Sequence, residues 1–422
     1  MEDLQRFMGM AAERETMKKH FCILVGFLLL SHLVIAQQTL NISQFRGANH
    51  SGIFDEKNLL KKWPADGPVL LWAYETLGNG YGSPAVTEAN VFVQGEKDSI
   101  ATLFSFDLKG NLLWESAFGR ERMSENYSGS LSTPTIVDSL IYCLSGMGDI
   151  ACLKVSTGEE TWGLNMIRDL KGDSVPYGFS QSLLVDGDLV YCAPSGKENN
   201  FVALNRFTGK VVWTCPALGE AARCSPILVE RGDRKIVVTT SSSSVLGIDG
   251  KTGEFLWSHV IDTSENTHYN SPIFDGEYLY CFTFYNGKGA VKLKLSADGR
   301  QVTEIWKTQN LLNSIGGVVK AGDYLVATHK NSLVCLDAKN GDFTDSIPSG
   351  SGWGGITLFA DGMIYLYNGW VKLVSLESGK LKEVSKFQVK KGTKYHFAHP
   401  AIKNGVLYIR RGTALMAYSV SA

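Results

Sequence analysis

The 422-residue sequence predicts an all-β fold: an eight-bladed β-propeller of four-stranded antiparallel blades, with the ring closed by strands from both termini. Three observations predict it. A Gly-turn-Trp pattern returns about every 45 residues, a second strand-start pattern appears eight times, and an unpaired strand stands at each end of the repeat region.

The first pattern is an alternating apolar strand, a turn ending in Gly, a short strand and then Trp. It runs from Leu103 to Gly110 with Trp114, from Ala151 to Gly158 with Trp162, from Val202 to Gly209 with Trp213, and from Leu246 to Gly253 with Trp257. Weaker copies turn at Gly299 with Trp306, and at Gly341 and Gly379 without a Trp. The fixed place of each Trp after its turn marks Trp72, Trp114, Trp162, Trp213, Trp257 and Trp306 as packing pegs between adjacent blades, not as a redox or cofactor box.

The second pattern opens on small residues and continues as an apolar strand, a polar turn and a strand rich in Tyr and Val. It starts at Ser83-Pro84, Thr133-Pro134, Ser182-Leu183, Ser225-Pro226, Ser271-Pro272, Gly316-Gly317, Gly355-Ile356 and His399-Pro400. Asp186-Gly187, Asp275-Gly276, Asp361-Gly362 and Asn404-Gly405 supply two-residue hairpin turns. Ala414 to Tyr418 is a third strand with no Gly-turn-Trp after it, and Val69 to Trp72 is a Trp strand with nothing before it. Together they complete one blade and leave no open ring edge.

Forty-one Lys and Arg balance forty-two Asp and Glu, for a net charge of -1, so no global field draws nucleic acid. At the N-terminus, Lys18-Lys19 precede an apolar run from Phe21 to Ile35 that ends at Ala36, the form of a cleaved secretory signal. The run is shorter than the ~20 residues of a spanning helix. The expected organisation is a leader and signal over 1–36, with Met17 as a possible true start, an N-terminal extension over 37–64, and the propeller over 65–422. Removing residues 1–36 takes away four basic and four acidic residues and leaves the net charge unchanged. A periplasmic or secreted monomer with no transmembrane span is expected.

These repeats, Gly80-Tyr81-Gly82-Ser83-Pro84, the stretch Val185 to Val190 with Ser195-Gly196-Lys197, and the opening Gln44 to Gly52 resemble the PQQ-like (pyrroloquinoline quinone-like) β-propeller repeat proteins. That family includes quinoprotein alcohol dehydrogenases and the non-catalytic outer-membrane assembly lipoprotein of the BamB type. The resemblance implies the fold and an envelope location, and leaves two functions open. One is a binding or scaffolding module for an envelope protein or glycan. The other is a quinoprotein-like oxidoreductase acting on an alcohol or sugar, with PQQ and calcium as cofactors. For the dehydrogenases the resemblance implies a vicinal Cys-Cys pair over the quinone, a Trp beneath it, and Glu, Asn and Asp around calcium. No adjacent cysteines stand in this sequence, so no catalytic residue carries over.

After cleavage seven cysteines remain, at 143, 152, 192, 215, 224, 281 and 335, without metal-ligand spacing. Buried free thiols are expected, with Cys143–Cys152 and Cys215–Cys224 as the alternatives for bridging. Gly350 to Gly355 satisfies Gly-x-Gly-x-x-Gly, but Ile356 to Phe359 continues as a strand, so nucleotide binding is excluded. Asn41-Ile42-Ser43, Asn49-His50-Ser51 and Asn126-Tyr127-Ser128 match the glycosylation triplet.

The remaining polar and aromatic residues gather in the loops that join each outer strand to the next inner strand. Tyr81, Arg122, Tyr127, Tyr177, Glu220, Arg223, His268, Tyr269, Asn270, Asn313, Trp353, Tyr395 and His396 form the candidate ligand-binding funnel, with an ordinary solvated rim as the alternative. Under the oxidoreductase reading, Glu220, Glu265 and Glu125 are the candidate bases. His396 and His399 read as rim plus core, and no metal site is expected.

Overall fold

Alternating apolar residues put one face of each strand against a neighbouring sheet, and the computed structural model assembles these strands into eight sheets. It describes residues 42–124, 128–218, 224–261, 269–282, 289–309, 311, 316–350, 355–394 and 396–422. Blade 1 comprises Ala85–Val86, Asn90–Lys97, Ile100–Asp107 and Leu112–Arg120; blade 2, Thr135–Val137, Leu140–Leu144, Asp149–Lys154 and Glu160–Asn165. Blade 3 comprises Leu184–Asp186, Leu189–Cys192, Phe201–Asn205 and Val211–Cys215; blade 4, Ile227–Arg231, Arg234–Thr240, Ser244–Asp249 and Phe255–Val260. Blade 5 comprises Ile273–Phe274, Tyr278–Phe282, Ala290–Leu295 and Val302–Thr308; blade 6, Val319–Ala321, Tyr324–His329, Ser332–Asp337 and Phe343–Pro348. Blade 7 comprises Ile356–Ala360, Met363–Tyr367, Trp370–Glu377 and Lys380–Gln388. Blade 8 takes Ala401–Lys403, Val406–Arg411 and Ala414–Ser419 from the C-terminus and its outer strand, Leu70–Tyr74, from the N-terminal side. The predicted closure is therefore present, with Leu70 opposite Tyr418 and Trp72 opposite Ala417.

The core is shared out between neighbouring sheets. Ile227, Val229, Ile236 and Val238 of blade 4 pack on Leu279, Cys281, Val291 and Leu293 of blade 5, all essentially without solvent exposure. Burying such side chains contributes roughly 1.5–3 kcal/mol each, which makes every blade dependent on its neighbours.

Across six of the eight seams, a Trp of one blade reaches the Gly turn of the next. Trp72 Nε1 donates to Leu108 O at 3.0 Å, Trp114 to Val155 O at 3.2 Å, Trp162 to Arg206 O at 2.9 Å, Trp213 to Gly250 O at 3.1 Å, Trp257 to Gly299 O at 3.1 Å and Trp306 to Ala338 O at 3.3 Å. The turn glycines have two reasons to be glycine. Gly110, Gly158, Gly209, Gly253 and Gly341 sit at positive φ, and a Cβ on them would stand 2.5, 2.6, 2.7, 2.6 and 2.9 Å from the arriving indole. In all eight blades the outer strand pair also carries a register shift beside the Trp position, a bulge that re-aims the side chain toward the next sheet.

Blades 6 and 7 carry Asp345 and Ser385 at the Trp position, opposite Cys335 and Leu373. At the blade 6–7 seam, polar bonds stand in: Thr344 Oγ1 donates to Gly379 O at 3.0 Å, and Asp345 accepts from Leu381 N at 2.8 Å. At the blade 7–8 seam, Trp63 of the N-terminal extension takes the place. Its backbone N donates to Ser385 Oγ at 2.8 Å and its Nε1 to Val371 O at 3.0 Å, and its ring meets Tyr365 and Phe387 edge-on.

All seven described cysteines are buried free thiols. Cys143 faces Ala151 and Cys152 faces Tyr142 across one ladder, so the two thiols point to opposite faces of blade 2 and do not bridge. Cys224 Sγ lies 3.4 Å from Thr239 Oγ1. Residues 351–354 of the glycine-rich stretch lie outside the described residues, and Ile356–Ala360 after it is the inner strand of blade 7.

Because Trp213 is 8% exposed and fills the blade 3–4 seam, Trp213→Ala is expected to lower unfolding free energy by about 3–5 kcal/mol in denaturant titration, and Trp213→Phe by less.

Candidate functional site

The eight inner strands begin on residues whose short polar groups meet around the central channel. Ser83 N donates to Thr133 Oγ1 (3.0 Å), Thr133 N to Ser182 Oγ (3.1 Å) and Ser182 N to Ser225 Oγ (2.8 Å), linking blades 1 to 4. Ser271 Oγ donates to Ser225 O (2.7 Å), Gly317 N to Asn270 Oδ1 (3.0 Å) and Thr357 Oγ1 to Gly317 O (2.5 Å), linking blades 4 to 7. His399 N donates to Ser83 Oγ at 2.8 Å, linking blade 8 to blade 1. These groups are buried, so each bond also removes the cost of an unpaired polar group, about 1–3 kcal/mol. The Ser-Pro starts suit this geometry: the hydroxyl joins the belt, and the proline without an N–H lies on the inner edge strand.

The gap between blades 7 and 8 is bridged by Arg46. Its Nη1 donates to Thr357 O at 3.0 Å and to His399 Nδ1 at 2.9 Å; Nη2 donates to Val318 O at 2.7 Å and Ser51 O at 3.3 Å; Nε donates to His50 O at 3.3 Å. All five N–H groups are thereby used. Burial pushes the guanidinium down to about 9, so it stays cationic at neutral pH. A Cβ on Gly52 or Gly317, both at positive φ, would fall about on top of the guanidinium nitrogens, at 2.1 and 1.8 Å.

Arg46 belongs to a strap that lies across the channel. Ile42–Ser43 pairs antiparallel with the inner strand of blade 2, and Ile53–Phe54 pairs parallel with that of blade 7. Ser43 Oγ donates to Val86 O of blade 1, and Asn49 Oδ1 accepts from Leu228 N of blade 4. Phe45 stacks edge-on against His399 at 4.9 Å. A cavity of about 20 Å³ remains beside Phe45, Arg46, Tyr269, Asn270, Val318 and His399, the size of one water.

The predicted funnel residues are distributed among separate contacts. Tyr269 and Asn270 line the cavity beside the strap, with the Asn270 amide engaged in the belt. Tyr81 is buried, its ring 5.6 Å from Phe397. The Arg122 guanidinium lies 5.8 Å from the exposed Tyr177 ring, and His396 Nδ1 lies 2.8 Å from Tyr367 Oη. Burial lowers His396 to about 4. Tyr127, Glu220, Arg223, His268, Asn313, Trp353 and Tyr395 lie outside the described residues, as do Glu125 and Glu265.

Sequence reasoning missed Arg46, Glu121 and Arg410. Glu121 reads as one more charge in an Arg-Glu-Arg stretch, yet its Oε1 accepts from Gly146 N and Arg122 N at 2.8 Å, and its Oε2 is buried without a partner. Desolvation by burial raises this carboxyl to about 7. Arg410 is fully buried, donating to Gly412 O, Gly82 O and Gln94 O, with Nη2 unpartnered. Gly80 leaves the space that it fills.

A quinone with calcium would need a pocket of roughly 300 Å³ or more and a set of oxygen ligands. The strap lies along the inner strands of blades 2 and 7, and no group of three or more His, Cys, Asp or Glu is placed to hold a metal among the described residues. The described residues offer no such calcium site, and the candidate carboxylates Glu125, Glu220 and Glu265 lie outside them.

Glu121 titrates near 7 when folded and near 4.5 when unfolded, so its burial penalty is present above pH 7 and is relieved as pH falls toward 4.5. Glu121→Gln is therefore expected to raise unfolding free energy at pH 8, by up to about 3 kcal/mol, with the gain vanishing near pH 4.5. His50 has the opposite sign: burial lowers it to about 4, and the stability it contributes above pH 6.5 is lost between 6.5 and 4. Denaturant titrations of both proteins across this pH range check the two limbs.

The family model described as outer membrane protein assembly factor BamB matches residues 51–169 and 102–344. BamB of Salmonella typhimurium is 23% identical over 188 residues, covering 44% of this chain and 43% of that protein, so the match spans less than half the relative's length. The crystal structure of BamB from Moraxella catarrhalis superposes with a TM-score of 0.60 at 12% identity, over 83% of this chain and 97% of that one. Quinohemoprotein alcohol dehydrogenase from Comamonas testosteroni gives a TM-score of 0.62 at 11% identity, over 90% and 80%. At these identities the superpositions show the fold alone. No helix among the described residues is long and apolar enough to cross a membrane. With the family model matching well over half of its length, the chain belongs to the PQQ-like β-propeller family of outer membrane protein assembly factor BamB.

Proposed function

We propose that this chain is an exported, non-catalytic binding or scaffolding module of the bacterial envelope, serving outer-membrane protein assembly as the name of its relatives describes. One observation supports the reading: the chain's own residues 42–54 pair with the inner strands of blades 2 and 7, and Arg46 reaches across blades 6, 7 and 8 at the channel. Recognition then falls to the outside of the ring. The rim presents Arg122 against the exposed Tyr177, a cationic and aromatic surface suited to polar complementarity with a protein or glycan.

Blade edges offer backbone pairing as a second means of contact. The outer strand of blade 8, Leu70–Tyr74, has no charged residue, and Val69, Leu70 and Leu71 are exposed, whereas Lys380–Gln388 of blade 7 carries three Lys and one Glu. Charges on an edge strand discourage pairing, so the blade 8 edge suits a partner's strand, as does the uncharged outer strand of blade 3, Val211–Cys215, with Val211 and Val212 exposed.

Purified protein titrated with PQQ and calcium is expected to show no saturable rise in melting temperature, whereas a ligand of the native state raises it by mass action. A saturable rise would favour the oxidoreductase. In the host, deleting the chain is expected to lower the amount of folded outer-membrane β-barrel protein, with recovery on re-expression; unchanged barrel content contradicts the assembly role.

A further inference from the structure

The blade 7–8 seam differs from its neighbours on both of its sides. Between the sheets, blade 7 offers Ser385 where six other blades place a Trp, and on the channel side Arg46 spans the step from Thr357 of blade 7 to His399 of blade 8. Both gaps are filled from one stretch of chain. Arg46 joins Thr357 O to His399 Nδ1 at the channel, and Trp63 enters between the sheets, bonded to Ser385 and Val371 of blade 7 and packed with Leu407, Met416 and Tyr418 of blade 8 in one cluster. Leu60 N donates to Val420 O at 2.8 Å, Ala422 N donates to Asn58 O at 2.8 Å, and Leu59 bridges Ser421, which ties the same stretch to the C-terminus.

We infer that residues 42–63 are a lock on the propeller ring, seated in the blade 7–8 seam, and that this seam is where the ring opens first when the lock is released. This goes beyond the scaffolding role and does not depend on it. The other seams are held by bonds and packing between the blades themselves, whereas here the direct packing of Phe387 on Tyr418 is joined by the strap. Release of that segment leaves Thr357 O, Val318 O and Ser385 Oγ without their partners. The seat is specific: the planar fork of Arg46 matches acceptors on blades 6, 7 and 8 at once, a geometry that a lysine ammonium does not reproduce.

Native-state hydrogen exchange of the full chain in sub-denaturing guanidinium tests this. The amides of Gly52, Leu60 and Trp63 and those of the inner strands Ile356–Ala360 and Ala401–Lys403 are expected to share one opening event, at lower denaturant than the strands of blades 3 and 4. Arg46→Lys and Trp63→Ala are expected to speed exchange at that seam by roughly tenfold or more, the factor of one lost buried hydrogen bond, and to leave blades 3 and 4 unchanged. Trp213→Ala, the control, is expected to act on blades 3 and 4 instead. Two results overturn the inference: exchange of all eight blades in one event, or release of the strap amides with blade 7–8 protection intact. If a variant fails to fold, the wild-type exchange order still decides between these outcomes.

Discussion

The closed belt of hydrogen bonds around the channel is the constraint on which the rest of this structure depends. A propeller blade cannot bury its faces alone, so its stability is a matter of neighbours, and a ring must hold at every seam. Ser83, Thr133, Ser182, Ser225 and Thr357 connect the starts of successive inner strands, Asn270 passes the connection from blade 5 to blade 6, and Arg46 carries it from blade 7 toward His399 in blade 8. Because these groups are buried, a break at any link leaves buried polar atoms unpaired.

The second set of ties, Trp to Gly turn, explains why the repeat has its form. The indole needs a bulge to aim it, a carbonyl to accept its N–H and a glycine to make room, and the repeat supplies all three at each Trp-bearing seam. Where blades 6 and 7 lost the Trp, the structure substitutes Asp345 with Thr344 in one case and Trp63 in the other. The N-terminal extension thus stands in for a missing part of the repeat.

What the sequence made legible follows from periodicity. Eight strand starts, the Gly-turn-Trp copies and the orphan strand at Trp72 are local patterns, and local patterns survive being read one residue at a time. The role of the strand-start hydroxyls was not legible, since Ser and Thr before Pro read equally well as turn residues; only the ring geometry brings Thr133 to Ser182. Arg46, Arg410 and Glu121 were invisible for a related reason. A charged residue reads as solvated unless its acceptors are known, and those acceptors lie far away in sequence, as Thr357 does from Arg46. Gly52 and Gly317 were the one available signal, because they make the room for the guanidinium.

The lock inferred at the blade 7–8 seam makes the N-terminal strap the element that sets whether the ring is closed. A double-mutant cycle is the most direct measurement of that claim. Arg46→Ala and Trp63→Ala touch the seam in different places and share no hydrogen-bond partner, so only a common lock couples them. The account predicts that their combined effect on unfolding free energy departs from the sum by more than about 0.5 kcal/mol, whereas Arg46→Ala with Trp213→Ala adds within that margin. Additivity in the first pair, or equal coupling in both, would contradict it.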